Sequence, residues 1–227
     1  MFNELFNNPL SFLGWLIALV VGITVHEFSH AYMADRLGDP TPRVQGRLTL
    51  NPLAHLDPLG TLMILIARFG WGKPVQFDVY NLKNPQRDTA LISIAGPISN
   101  ILVATIAAIL LRILLASRLL LVDGTIATTI LSLGFLLLPP IIMLNVGLAV
   151  FNLVPIHPLD GFKIVQGILP AELARQWAEL EPYGMIFLIF LVFPIFGSVA
   201  PLSQITGPII NFLLNILLPT MGNTGVL

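Results

Sequence analysis

The sequence predicts an all-α polytopic membrane protein. It should have a three-helix core, additional C-terminal membrane helices, a re-entrant or interfacial segment, and short β-hairpin or strand elements. Composition and run length carry this class. Hydrophobic residues make up 56% of the 227 and charged residues only 10%, where a soluble domain carries about a quarter charged. Several apolar runs reach the roughly 20 residues that a helix needs to cross a bilayer. The lipid bilayer is therefore the first partner. A net charge of −1 with no basic run gives no footing for nucleic acid. With no cysteine in the chain, disulfides are excluded, and any metal site must draw on His, Asp or Glu.

The first helix is expected from about Ser11 to Asp35, apolar until His26, and ended by Gly38, Pro40 and Pro42. It is too long for a signal peptide and runs into polar, functional residues, so it belongs to the mature chain. The alternation from Arg43 to Leu50 predicts a strand or hairpin. Leu59 to Phe69 is apolar but too short to span, which makes it the re-entrant or interfacial candidate. Gly72 to Tyr80 is expected to be extended, with a proline suited to a sheet edge. Full spans follow at about Asp88–Leu115 and Ile126–Val154, then a polar segment from Pro170 to Pro182. Two last apolar segments, Tyr183–Val199 and Ile205–Leu218, are interrupted by Pro194, Pro201 and Pro208, and they either span or form broken, partly inserted helices. Residues 1–227 are expected to form one integral membrane domain without a soluble appendage.

Chemistry enters at His26-Glu27-Phe28-Ser29-His30, an HExxH sequence on a helix. Positions i and i+4 share one helix face, so both imidazoles can reach a single zinc. The glutamate between them points near the open coordination position, where a general base takes a proton from water and passes it to the leaving amine. Two imidazoles and a carboxylate on a membrane helix are costly without a partner and mark function by default. Packing or interfacial histidines are the competing explanation.

A catalytic zinc has three protein ligands and an open position. The residues alone leave the third ligand among His55, His157 and Asp160, with Asp160-Gly161 at the end of a proline-broken stretch from Asn152. Non-helical backbone at membrane depth is tolerated where it is buried in protein or lines a cavity. A simple helix-ending turn is the alternative there. His157 reads as a metal ligand, a hydrogen-bond partner of Asp160, or a polar lining residue. His55 and Asp57 lie in a turn-rich stretch where capping outweighs metal binding. Gly96, Pro97 and Asn100 either line a substrate path or permit close helix packing.

Four motifs in order give the chain a specific resemblance from Thr24 to Lys163: HEFSH, Gly46 to Pro52 (GRLTLNP), Ala95 to Asn100 (AGPISN), and Asn152 to Gly161. It resembles the site-2 protease family of intramembrane metalloproteases, and within it the small members without PDZ or CBS domains. The resemblance implies that His26, His30 and Asp160 hold one Zn2+ per chain and that Glu27 activates water. It places Asn152 close to the active site, polarising the scissile carbonyl or positioning water. It also implies cleavage of transmembrane or membrane-associated protein substrates within the bilayer. His157 stands where proline is frequent in the family, and Phe162 where a second glycine is frequent.

A helical substrate must unwind before attack, and Arg43–Leu50 or Pro74–Tyr80 could pair with the unwound peptide as an added strand. One zinc can bind all three ligands only if the first and third spans run in the same direction. Leu59–Phe69 must then enter and leave on one side. On that topology all eleven Lys and Arg residues except Arg112 and Arg118 lie on the active-site side. This makes that side cytoplasmic in a multi-pass cell-membrane protein. A polytopic metal-binding transporter would also use buried His and Asp, but it gives no reason for a glutamate between the two histidines. A catalytically inactive chaperone of the same family would be expected to lack a ligand or the base. The sequence does not fix the substrate or the oligomeric state.

Overall fold

A computed structural model of the protein describes residues 8–60, 63, 72–117, 124–194 and 199–218. The helices in chain order are α1 (Pro9–Leu37), the single turn α2 (Thr41–Val44), α3 (Pro85–Ala116), α4 (Thr125–Asn152), α5 (Asp160–Ile168), α6 (Ala171–Ala178), α7 (Gly184–Val192) and α8 (Pro201–Leu217). Of these, α1, α3 and α4 are long and apolar enough to cross a membrane. At about 1.5 Å per residue even the 28 residues of α4 reach roughly 42 Å, against a hydrocarbon core of about 30 Å.

The ends of these helices follow from local chemistry. Pro9 and Pro85 occupy first-turn positions, where a missing N–H costs nothing. Asn8 Oδ1 caps α1 by accepting from the Ser11 amide at 3.1 Å. Gly38 ends α1 at φ 111°, in the left-handed region that favours glycine. The Gly38 and Asp39 amides then donate to Asp35 O and Ala34 O.

Small residues set how closely the three spans pack. A Cβ on Gly14 of α1 would lie 2.5 Å from Leu136 O of α4. Pro140 lacks the N–H that this carbonyl would otherwise receive, so a bare carbonyl meets a bare glycine. Gly22 of α1 faces Leu144, Asn145 and Leu148 of α4 in the same way. Gly14 meets residue 136 and Gly22 meets residues 144–148, so α1 and α4 run parallel. His26 meets Asn100, and His30, further along α1, meets the earlier Ile92, so α3 runs antiparallel to α1. The direction required for one shared site is therefore present. The connection from Leu37 to Pro85 starts and finishes at the same end of the bundle.

The outward faces stay apolar. Ile98, Leu102, Ile106, Ile109 and Ile113 of α3 are all at least half exposed in the isolated chain. A soluble protein would not leave such a contiguous stripe uncovered, and this stripe lies on a helix long and apolar enough to cross a membrane. α8 packs Ile210, Leu213, Leu214 and Leu217 against Ala104, Val146 and Val150 of α3 and α4. The apolar segment expected from Tyr183 yields only the nine residues of α7, too short to span, while the segment expected from Ile205 is the 17-residue α8.

The expected β elements are a correction. Among the described residues there is no sheet, only an isolated antiparallel bridge between Leu56 and Gly72. Arg43–Leu50 is not a hairpin: its start is the helical turn Thr41–Val44, and Gly46 follows at φ 70°. Buried Arg47 then turns its guanidinium onto the carbonyls of Ala54, Lys73 and Pro74 (3.2 Å to Lys73 O, 3.1 Å to Pro74 O). Side-chain-to-backbone bonding takes the place of strand pairing. Residues 73–78 carry neither helix nor sheet. The re-entrant or interfacial segment, Leu59–Phe69, lies outside the described residues except for 59, 60 and 63.

Candidate metal centre

Three elements converge on one point: the C-terminal part of α1, the first half of α3, and the start of α5 just beyond α4. His26 and His30 are buried on α1, one turn apart. His26 Nε2 and His30 Nε2 are 3.0 Å apart, and Asp160 Oδ2 lies 3.1 Å from the first and 3.3 Å from the second. Among the described residues His26, His30 and Asp160 are the one group of His, Asp and Glu placed to hold a metal ion.

The fit of this donor set to zinc follows from where its protons go. His30 Nδ1 donates to Ile92 O at 2.7 Å, and a carbonyl can only accept. His26 Nδ1 sits 2.7 Å from Asn100 Oδ1. With both ring protons turned outward, both Nε2 lone pairs face inward beside Asp160 Oδ2, which has no hydrogen-bond donor. Three acceptors that close repel one another unless a cation lies among them. Tetrahedral zinc, with bonds of about 2.0–2.1 Å, implies ligand-to-ligand edges of about 3.3 Å. The observed spacing fits.

Backbone shape makes room for the rings. A Cβ on Gly96 of α3 would lie 2.5 Å from His30 Nε2 and 2.6 Å from His26 Cε1. The two imidazoles therefore lie on bare backbone at this position. Gly161, next to Asp160, is pressed against the carbonyls of Leu153 and Val154, so a side chain there would push Asp160 off the site.

Glu27 and Asn152 line the same cavity of about 130 Å³, together with Val75 and Lys163. Glu27 Oε2 accepts from the Val75 amide at 3.0 Å. Asn152 Nδ2 donates to Leu148 O at 3.0 Å, which leaves its carbonyl oxygen for the cavity. A larger cleft of about 810 Å³, sharing Val75, Phe77 and Lys163, extends from it toward α6.

The other histidines sit elsewhere. His157 lines the larger cleft, 3.6 Å from Glu181 Oε1 and edge-on to Phe162, consistent with a polar lining residue. His55 is fully buried, donates through Nε2 to Thr49 O at 2.7 Å, and caps a short 3-10 turn. Asp57 Oδ1 accepts from the Gly60 amide at 2.7 Å. Sequence reasoning left Asn100 undecided between substrate path and packing, and it missed Asn145, Val75, Arg47 and Asp39. For Asn145 the signal was a lone asparagine deep in an apolar span.

Comparison with known proteins gives a family match and named relatives. The family model described as Peptidase family M50 matches residues 14–194. A Bacillus subtilis (strain 168) protein named "Putative zinc metalloprotease YwhC" is 40% identical over 207 residues, covering 89% of this chain and 89% of that protein. A Mycobacterium tuberculosis (strain H37Rv) protein named "Putative zinc metalloprotease Rip2" is 32% identical over 193 residues, covering 81% of this chain and 69% of that protein. No solved structure matches the chain. With a family match over most of its length and a relative similar along nearly the whole chain, this multi-pass membrane protein belongs to peptidase family M50, the site-2 protease family.

Proposed function

We propose that this protein is a zinc-dependent intramembrane metalloendopeptidase that hydrolyses peptide bonds in transmembrane or membrane-associated segments of protein substrates. One observation carries the proposal: two imidazole nitrogens and a carboxylate oxygen face one another at 3.0–3.3 Å, beside a glutamate in a small cavity. In this reading His26, His30 and Asp160 hold one zinc per chain. When bound, zinc supplies Lewis acidity, polarising the scissile carbonyl and acidifying water.

The remaining steps belong to the chain. Glu27 takes a proton from the attacking water at a carboxylate oxygen and returns it to the leaving nitrogen as the C–N bond breaks. The Val75 amide holds Glu27 Oε2, leaving Oε1 for that exchange. Asn152, whose amide nitrogen is tied to Leu148 O through one N–H, keeps a second N–H and its oxygen to orient the substrate carbonyl or the water. Residues 73–78, outside any helix or sheet and beside Glu27, are the segment on which an unwound substrate can pair. Arg43–Leu50, with its helical turn and buried Arg47, does not serve that role.

The parallel α1 and α4 support a topology with the site nearer the cytoplasmic side of the cell membrane, the side that carries most Lys and Arg residues. Co-expression with candidate membrane substrates tests the activity. Wild type should shorten a defined set of membrane proteins that accumulate intact with Glu27→Gln, as read by mass spectrometry. Indistinguishable membrane proteomes from the two would contradict it.

A further inference from the structure

One polar chain crosses all three long helices through otherwise apolar packing. Asn100 of α3 and Asn145 of α4 are both fully buried. Asn145 Nδ2 donates to Ile141 O at 2.9 Å, and Asn145 Oδ1 accepts from Asn100 Nδ2 at 2.8 Å. Asn100 Nδ2 also donates to Gly22 O of α1 at 3.1 Å, while Asn100 Oδ1 lies 2.7 Å from His26 Nδ1. Both N–H donors and the carbonyl oxygen of the Asn100 amide are thereby engaged.

The direction of this chain is fixed from its ends. A side-chain amide can be turned over, but Ile141 O and Gly22 O are carbonyls and can only accept. Ile141 O takes the nitrogen side of Asn145, which turns Asn145 Oδ1 toward Asn100. Asn100 must then present N–H to both Asn145 and Gly22, leaving its oxygen for His26. A proton on His26 Nδ1 follows, and with it a bare lone pair on Nε2. A turned-over Asn100 would set its oxygen against two other oxygens, each contact costing a buried hydrogen bond.

We infer that Asn100 and Asn145 are positioning residues that fix the ring plane and tautomer of His26, so that Nε2 is ready for the metal. Asn145 acts only through Asn100 and does not line the metal cavity. The inference rests on the zinc reading proposed above. The rival account is that the two asparagines merely tie helices together, as polar residues do inside membranes. That role would lower stability and leave metal affinity alone.

The test measures zinc Kd by competition with a chromophoric chelator, on purified full-length protein in detergent, with the melting temperature of the metal-free form alongside. Asn100→Leu should weaken zinc by about tenfold to a hundredfold, the usual consequence of losing a partner behind a metal-bound histidine. Asn100→Asp keeps an acceptor at His26 Nδ1 but sets its second oxygen against Gly22 O and Asn145 Oδ1, so it should lower the melting temperature yet weaken zinc less than Asn100→Leu does. Asn145→Leu, which touches neither His26 nor Asp160, should weaken zinc several-fold and gives a second reading should Asn100→Leu fail to fold. Wild-type affinity in Asn100→Leu with only a lower melting temperature would overturn the inference. Equal weakening in Asn100→Asp and Asn100→Leu would also overturn it. Wild-type protein that takes up no zinc would overturn the metal reading itself, and this inference with it.

Discussion

The amide nitrogen of Val75 lies 3.0 Å from Glu27 Oε2, so a backbone donor from an irregular loop holds the carboxylate between the two histidines. That loop is itself held by Arg47, whose guanidinium donates to Lys73 O and Pro74 O immediately before Val75. A side chain with no contact to the metal cavity thus sets the position of the proposed base. Buried groups that lose such a partner cost about 1–3 kcal/mol each.

Arg47→Ala should therefore lower turnover by tenfold or more while leaving zinc content near wild type, because no ligand moves. Arg47→Lys, with a point charge in place of the guanidinium fork, should recover part of the rate. Turnover of a membrane-inserted substrate and metal analysis of the same preparations check this. A loss of zinc equal to the loss of rate would mean that Arg47 supports the ligands instead.

Gly96→Ala is expected to displace the imidazoles. The added methyl would lie 2.5–2.6 Å from atoms of His26 and His30, and the helix backbone carrying it cannot retreat without unpacking α1 from α3. Zinc content and proteolysis should both fall severely. Gly147→Ala of α4, whose Cβ would meet nothing within 4 Å, is the control. It should keep zinc and gain up to about 1 kcal/mol of helix stability. Equal zinc content in the two variants would contradict the account of the site.

Much of this site was legible from residue spacing. HEFSH gives the two histidines of the proposed metal centre and the proposed base, because the 3.6-residue period puts residues 26 and 30 on one face. Two prolines and a glycine mark broken backbone before Asp160 and made it one of three candidates, from which the family resemblance singled it out. The three long spans were legible from run length, and the structure extends each expected start N-terminally, to Pro9, Pro85 and Thr125. What the sequence hid was side-chain-to-backbone bonding over long separations. Arg43–Leu50 alternates like a strand, yet Arg47 is buried to serve carbonyls some 26 residues away. Asn100 belongs to a short motif, but its amide bonds on α1 and α4 have no signature in local pattern.

Asp39 supplies a prediction about acid. It is buried just after α1 and accepts from Thr41 Oγ1 at 2.6 Å, the Thr41 amide at 3.1 Å, the Asp78 amide at 2.7 Å and Asn81 Nδ2 at 2.8 Å. Burial alone would raise its carboxyl pKa, but these donors outweigh it and hold the group below its ordinary value. A depressed folded pKa contributes stability that is present above the unfolded value and lost as pH falls through the folded one. Asp39→Asn should thus lower the melting temperature at pH 7 and flatten its decline below about pH 4. Identical pH profiles for variant and wild type would exclude Asp39 as the tie between α1 and residues 78–81.

The topology can be tested because the chain has no native cysteine. Lys83→Cys and Glu179→Cys, both at exposed positions, should label with an impermeant thiol reagent from the cytoplasmic side. Ile126→Cys, exposed at the start of α4, should label only from the other side. Arg47 is too buried to report, and Arg118 lies outside the described residues. Lys83 and Glu179 labelling from opposite faces would break the parallel arrangement of α1 and α4.

The most direct test of the central claim is the ratio of zinc to protein in purified wild type, Glu27→Gln and Asp160→Asn, with cleavage of a membrane substrate recorded for each. Wild type should carry about one zinc and cleave, because three ligands and an open position define such a site. Glu27→Gln should keep that zinc without cleaving, and Asp160→Asn should fall well below one zinc and lose cleavage. An Asp160→Asn protein with full zinc and undiminished cleavage would contradict the assignment of the metal centre.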